Sequence, residues 1–211
     1  MSPIKTQKPA RTRNKRTREY LTPEEIDILL DVAKNGVKQP NGSPPKPATR
    51  NQERDYCLMG VMFRHGLRVS EAIGLRLDDI DLDQSTFHVH RLKDSASGAH
   101  PIYPPDRKAL TAWLKVRKAM KPNNDFLFIS ERRSQLNRTS VWEIIRVVAT
   151  AAGLAHLNVH PHTLRHSTGF TLINSGVDIR RVQCFLGHRS IQTTTRYTAL
   201  AANGFTDFFP K

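Results

Sequence analysis

The chain has 211 residues, enough for one sizeable hydrophobic core but cramped for two full domains. Its 33 Lys and Arg against 19 Asp and Glu give a formal net charge of +14, which favours a polyanionic partner over a merely basic surface. The two cysteines and the lack of a long apolar run argue against a disulfide framework, a thiolate metal site and a membrane protein, so a cytoplasmic protein is expected.

Residues 1–19 have no apolar periodicity and one acidic residue. Their seven basic residues are Lys5, Lys8, Arg11, Arg13, Lys15, Arg16 and Arg18. Such a segment does not bury enough apolar surface to fold alone, so it is predicted to be a flexible basic arm.

The first helix is predicted in "LTPEEIDILLDVAKNG". Thr22 and Glu25 have the spacing of a capping box, and Pro23 suits the first helical position. Apolar residues from Ile26 to Ala33 share one face, and Gly36 ends the helix. The Pro-rich stretch 37–49 that follows is predicted to be an exposed insertion.

The middle of the chain predicts two core helices and a β-hairpin. Helical periodicity runs through "RDYCLMGVMFRHG", and "LRVSEAIGL" leads into a second, shorter helix. "STFHVHR" alternates, "AHPIYP" is short and extended, and "LKDSASG" between them is predicted to be a mobile hairpin tip that carries Lys93.

The rest of the chain is predicted to be mostly helical. "DRKALTAWLKVRKAM" and "TSVWEIIRVVATAAG" are helices, the second with a capping box of Ser140 and Glu143, and "DFLFIS" is a short strand or extended segment. Three short helices follow, near 161–175, 178–186 and 191–197. The predicted fold class is mainly α with a small antiparallel sheet, an α+β domain.

The stretch "HPHTLRHSTG" could be a metal site, a solvated polar patch or part of an active site. His162 and His166 have the spacing of two zinc ligands on a helix, but that motif also needs a glutamate and a further ligand, and Arg165 is a poor neighbour for a dication. Taken alone, His166 is better explained as a satisfied core or capping histidine. An arginine and an imidazole at a helix N-terminus suit a phosphodiester.

Four motifs together resemble the catalytic domain of the tyrosine recombinases, the phage integrase family. They are "HGLRVSEAIGLRLDDID", "HRLKDSASGAHPI", "HPHTLRH" and "FLGHRSIQTTTRYT", in this order. The nearest resemblance is to the short fimbrial phase-variation DNA invertases of bacteria. It covers residues 20–200 and leaves 201–211 as a tail that is expected to contact a neighbouring protomer.

The resemblance implies a role for each catalytic residue. Arg68 and Arg165 clamp the scissile phosphate, and His162 hydrogen-bonds the same phosphate and helps to accept the tyrosine proton. Tyr197 is the nucleophile that forms a 3′-phosphotyrosyl bond, and Lys93 on the hairpin protonates the leaving 5′ oxygen.

Two further residues complete the implied site. His188 occupies the place where the family has His or Trp. Glu71 resembles the acidic residue that supports the site in many members, although on its own it is equally an ordinary solvated carboxylate.

The function implied is metal- and ATP-independent recombination of double-stranded DNA, without a cofactor, by a homotetramer on two sites. Inversion of a DNA segment is the expected outcome, with accessory DNA-bending proteins as further partners, no membrane partner, and a nucleoid-associated location. Larger family members carry a separate DNA-clamping domain before this one, whereas only the basic arm precedes residue 20 here. Two other classes stay open: a non-catalytic DNA-binding regulator, which would not need Tyr197 or Lys93, and a metal-dependent nuclease, which would need acidic ligands near the histidines.

Overall fold

The described part of the chain is a mainly helical domain with one small antiparallel sheet, as the sequence predicted. The computed structural model describes residues 18–91 and 98–198. Within these ranges the helices are α1 (Pro23–Asn35), α2 (Gln52–Arg64), α3 (Val69–Gly74), α4 (Pro104–Met120), α5 (Arg138–Ala151), α6 (Pro161–Asn174), α7 (Ile179–Leu186) and α8 (Ile191–Thr198). The strands are β1 (Ile80–Asp81), β2 (Thr86–Val89) and β3 (Gly98–Pro101), and two short 3₁₀ turns span Leu77–Asp79 and Ala155–Leu157.

Helix α2 lies at the centre of the domain and packs against α1, α4 and α6. Its middle turns are buried almost all round, which explains why Leu58, Met59 and Met62 have no exposed surface. The capping box of Thr22 and Glu25 is confirmed and fixes the start of α1, since the Thr22 N–H donates to Glu25 Oε2 at 2.9 Å. Trp113 of α4 is fully buried in the core and donates its Nε1–H to the Leu127 carbonyl.

The sheet has three strands in the order β1-β2-β3, one more than the predicted hairpin. Phe87 of β2 pairs with His100 of β3 on one side and with Ile80 of β1 on the other. Strand β1 is two residues long, too short for an alternating pattern to show in the sequence. The predicted hairpin tip with Lys93 lies outside the described residues, which resume at Gly98.

Helix α5 begins earlier than predicted, and the proposed Ser140–Glu143 capping box is wrong. The cap is Asn137, whose side-chain oxygen accepts the Ser140 N–H at 2.8 Å. Asparagine caps a helix as well as serine does, and the prediction, which relied on the capping-box spacing, placed the cap at Ser140, about one turn too late. The "DFLFIS" segment is extended, as predicted, and joins its neighbours through isolated bridges such as Arg76 with Phe126.

Helices α6, α7 and α8 pack together and enclose a second, smaller apolar cluster of Val182, Leu186 and Tyr197. The chain enters the domain beside them, because the Tyr20 ring stacks on Phe170 of α6 at 3.9 Å between centroids. Glu19, the last residue of the predicted arm, pairs with Arg196 of α8 at 2.6 Å. The start of the described chain therefore touches the helix that carries Tyr197.

The Pro-rich stretch is largely exposed, as predicted, and is closed at its base by a bridge between Val37 and Lys46. Gly36 makes that closure possible, since its φ of +77° is left-handed and a Cβ there would lie 2.4 Å from the Lys46 carbonyl oxygen. Among the described helices, none has the length and apolar character to cross a bilayer.

Candidate active site

Arg68 and Glu71 form the first pair of the candidate site. Arg68 precedes α3, and its backbone N–H donates to Glu71 Oε2 at 2.8 Å while its guanidinium donates to Oε1 at 2.7 Å. The same guanidinium donates to the carbonyl of Gly187, the residue that ends α7. Glu71 is only 4% exposed, so its interpretation as a solvated helix carboxylate is wrong.

Arg91 is a part of the site that the sequence analysis missed. It is 8% exposed, stands two residues after β2, and donates to Glu71 Oε2 at 2.7 Å and to the Phe185 carbonyl at 2.5 Å. Burial alone raises the pKa of Glu71, but the charges of Arg91 and Arg68 outweigh it and hold that pKa below its usual value. In the sequence, Arg91 is a basic residue inside "HRLK" next to an apolar strand. That pattern does not distinguish a buried arginine from an exposed one.

Arg165 of α6 also lies close to this carboxylate. Its guanidinium donates to the carbonyls of Gly66, at 2.5 Å, and Leu186, at 2.6 Å, and stands 3.9 Å from Glu71 Oε2. Burial, followed by repulsion from Arg68, lowers the pKa of Arg165 to about 10. The Glu71 carboxylate therefore lies close to three described guanidinium groups, and its single charge does not neutralise both Arg68 and Arg165.

Two histidines border these arginines. His162, in the first turn of α6, is exposed, and burial of part of its ring together with the charges of Arg165 and Arg68 lowers its pKa. His188 is half-buried just after α7, with its Nδ1 at 2.9 Å from Thr194 Oγ1. Burial, with the same two arginines, lowers the pKa of His188 to about 3. The lowered pKa values favour the neutral form of both imidazoles at physiological pH.

Tyr197 of α8 is placed in contact with α6. The residue is 1% exposed, its ring lies 6.2 Å from that of His188, and its Oη lies 2.9 Å from His166 Nδ1. Gly169 permits this approach, because a Cβ there would lie 2.4 Å from Cε2 of the tyrosine. Burial raises the pKa of Tyr197, which keeps the phenol protonated until something removes the proton.

The structure thus brings six sequence-predicted residues into one region. Arg68, Glu71 and Arg165 are joined through the carboxylate, the charges of both arginines reach His162 and His188, and Tyr197 packs beside His188. Lys93 lies outside the described residues. The sequence analysis missed the buried Arg91 and the contact of His166 with Tyr197. Within 18–91 and 98–198, no group of three or more His, Cys, Asp and Glu could hold a metal ion.

Comparison with known proteins supports the resemblance drawn from the motifs. The model of the phage integrase family matches residues 19–203. The chain belongs to the phage integrase family. It is 40% identical over 189 residues to the type 1 fimbriae regulatory protein FimB of Escherichia coli strain K12, covering 89% of this chain and 88% of FimB. FimE of the same strain is 36% identical over 190 residues and covers 89% of each chain.

Solved structures show the same fold. The crystal structure of XerA recombinase matches with a TM-score of 0.75 and 30% identity over 91% of this chain and 65% of XerA. XerH recombinase in a post-cleavage complex with difH matches with a TM-score of 0.72 at 24% identity over 87% of this chain, and this chain spans half of XerH. The tyrosine recombinase catalytic-domain fold predicted from the sequence is confirmed, and the chain is a recombinase of this family.

Proposed function

We propose that this recombinase cleaves and rejoins double-stranded DNA through a 3′-phosphotyrosyl bond to Tyr197 and thereby inverts a DNA segment. The observation that carries the proposal is the charge of the site. The carboxylate of Glu71 pairs with Arg68 at 2.7 Å and stands 3.9 Å from Arg165, so its single negative charge does not neutralise both of these guanidinium groups. Burying positive charge costs free energy unless a negative group binds beside it, and the phosphodiester of DNA is such a negative group.

Arg68 and Arg165 are the phosphate ligands in this proposal. Each uses part of its guanidinium to hold the turn at the end of α7, through the Gly187 and Leu186 carbonyls. A guanidinium has five N–H donors, so each arginine can hydrogen-bond these backbone carbonyls and still donate to phosphate oxygens. Donors fixed in this way stabilise the additional negative charge of the pentacoordinate transition state without having to reorganise.

Tyr197 attacks the phosphorus, and the 5′ oxygen of the broken strand leaves. Lys93 is the proposed proton donor to that oxygen, and neutral His162 and His188 are proposed to donate hydrogen bonds to the phosphate oxygens. The new phosphotyrosine bond conserves the energy of the broken linkage, so a 5′ hydroxyl can reverse the step without ATP. No step needs a metal ion or a cofactor.

The biological outcome is proposed from the relatives. FimB and FimE are fimbriae regulatory proteins, and several solved neighbours were captured with DNA. Inversion requires two sites and four strand cuts, so we expect a homotetramer, assisted by DNA-bending proteins and located on the nucleoid. Residues 1–19 would add phosphate contacts, 20–200 would form the catalytic domain, and the tail 201–211 would join neighbouring protomers.

The test is long-read sequencing of cells that carry the gene at its native locus. Cells with the wild-type gene should contain both orientations of a segment bounded by short inverted repeats, whereas cells with Tyr197→Phe should contain one orientation. Equal mixtures of orientations in both strains would refute the proposal. The repeat found in this way also supplies the substrate for the biochemical tests below.

A further inference from the structure

We propose that His166 is a catalytic residue of this recombinase, whose Nδ1 accepts the proton of the Tyr197 hydroxyl as that oxygen attacks the phosphate. The inference rests on the proposed function of Tyr197. The family motif pointed to His162 for this role, and His166 on its own resembled a satisfied structural histidine. The geometry favours His166, because its Nδ1 lies 2.9 Å from Tyr197 Oη.

The contact between His166 and Tyr197 arises from close packing of α6 and α8 and is not a contact between two exposed side chains. His166 and Gly169 lie three residues apart on α6, and the glycine lets the Tyr197 ring rest directly against that helix. Tyr197 is 1% exposed, and the hydrogen-bond partner of its hydroxyl is a titratable side chain, His166, which is placed to take the proton. His162 lies one turn earlier in α6, with its ring 6.4 Å from that of His166.

The surroundings keep the His166 ring neutral and ready to accept. Burial lowers the pKa of His166 to about 4, assisted by the positive charge of Arg196 on α8. The other groups that face it are Glu19 from the start of the described chain, His162 and Arg165 from α6, and His188 beyond α7. Among the described groups that face the ring, only Glu19 favours its charged form, and that carboxylate is already paired with Arg196 at 2.6 Å.

The step balances in both directions. On attack, the Tyr197 O–H bond breaks, the proton passes to His166 Nδ1, the oxygen bonds to phosphorus, and the 5′ oxygen leaves with a proton from the proposed acid, Lys93. On rejoining, a 5′ hydroxyl attacks the phosphotyrosine, and the His166 imidazolium returns its proton to the leaving tyrosine oxygen. A base in one direction is thus the acid in the other, as microscopic reversibility requires. The weak basicity of His166 favours this return.

The experiment measures single-turnover formation of the covalent adduct on a nicked substrate, from about pH 6.0 to 8.5, with full-length protein. His166→Asn keeps an acceptor oxygen near the position of Nδ1 but does not take a proton, whereas His166→Ala removes both functions and leaves space for free imidazole. The matched control is His156→Asn, the same change at an exposed histidine outside the site. DNA affinity and thermal unfolding of each variant are measured alongside.

We expect the wild-type rate to be nearly independent of pH over this range, because His166 is already neutral. Both His166 variants should slow adduct formation by about 10²- to 10⁴-fold, with a rate that rises as pH rises, and imidazole should partly restore His166→Ala. A wild-type rate for His166→Asn, or equal pH profiles without rescue, would show a positioning or structural role and overturn the inference alone. A wild-type protein that forms no adduct overturns the proposed function and the inference with it.

Discussion

Gly169 is the residue on which the position of Tyr197 depends most directly. In Gly169→Ala the new Cβ would lie 2.4 to 2.7 Å from three ring carbons of Tyr197, so the ring must move. We expect adduct formation to slow by roughly 100-fold, since a displacement of about 1 Å has that effect on a reacting group. DNA affinity should be unchanged, because no phosphate ligand is touched.

Gly74→Ala is the matched control for that change, since a Cβ at Gly74 has nothing within 4 Å. Adduct formation is followed on a nicked substrate and binding by titration with labelled DNA. If Gly169→Ala reacts as fast as Gly74→Ala, the packed position of Tyr197 has no bearing on the chemistry.

Lys93 can be tested through the leaving group that it is proposed to protonate. Lys93→Ala should be slow on normal DNA, because the 5′ alkoxide has no proton source. It should approach the wild-type rate when sulfur replaces the bridging 5′ oxygen, since a thiol has a pKa of roughly 8.5 and leaves unprotonated. Cleavage rates of both substrates give the answer.

The control for the lysine is Arg68→Ala, because a lost phosphate ligand is not replaced by a better leaving group. Equal slowness of Lys93→Ala on both substrates would assign the proton donor elsewhere. His90 would then be the next candidate, because the low pKa of His188 leaves little imidazolium there at neutral pH. His90 is exposed and pairs with Asp79 at 2.7 Å.

The elements of the site are held together by the buried ion pair of Arg91 and Glu71. It joins the end of β2 to α3 and, through the Phe185 carbonyl, to α7. Arg91→Met should lower the free energy of unfolding by about 3 kcal/mol, because breaking a buried pair leaves a charge with fewer partners. Urea denaturation measures the loss.

A double-mutant cycle with Glu71→Gln separates the interaction free energy of Arg91 and Glu71 from the other effects of each substitution on stability. The double variant should lose less stability than the sum of the single losses, by about 1–3 kcal/mol, because the two residues interact directly. Additive losses would mean that the contact between β2 and α3 does not depend on this pair.

Sequence alone predicted those elements whose ends carry local signals. Thr22 with Pro23, Pro161 and Gly187 mark helix ends through caps and backbone preferences that depend on a few adjacent residues. The cap of α5 was misplaced because Asn137 and Ser140 are both good caps. Strand β1 was missed because two residues show no period.

The site residues also divide into those that the motifs predict and those that only the folded structure shows. The motifs, through the family resemblance, predicted Arg68, His162, Arg165, His188 and Tyr197 as site residues. Nothing in the motifs separates a buried arginine from an exposed one. Arg91 is buried only when the end of β2 packs against α3 and α7, and His166 meets Tyr197, 31 residues later, only when α6 packs against α8. Tertiary contacts of this kind have no local signature in the chain.

The molecule as a whole should lose stability in mild acid. Burial, with nearby positive charge, lowers the pKa of His100 and His166 to about 4 and of His188 to about 3. Unfolded histidines titrate near 6.5, so below this pH the unfolded chain binds more protons than the folded one. The free energy of unfolding is therefore expected to fall between about pH 6.5 and 4.5, above the range where carboxylates titrate.

Each of these histidines contributes at most ~1.4 kcal/mol per pH unit to that slope. His100, which is 8% exposed, gives the clearest single test: His100→Asn should make the pH dependence shallower. Urea denaturation at several pH values measures it. A stability that rises on acidification would contradict the buried, neutral state of these rings.

The central claim is that Tyr197 forms a covalent bond with the 3′ phosphate of DNA, and trapping that bond tests it most directly. Wild-type protein is incubated with a nicked suicide substrate in excess chelator, digested with trypsin, and analysed by mass spectrometry. The account predicts a nucleotide attached to the peptide that contains Tyr197, and no adduct from Tyr197→Phe, which keeps the ring and loses the nucleophilic oxygen. A nucleotide on another residue, an adduct from the Phe variant, or cleavage that stops in chelator would contradict it.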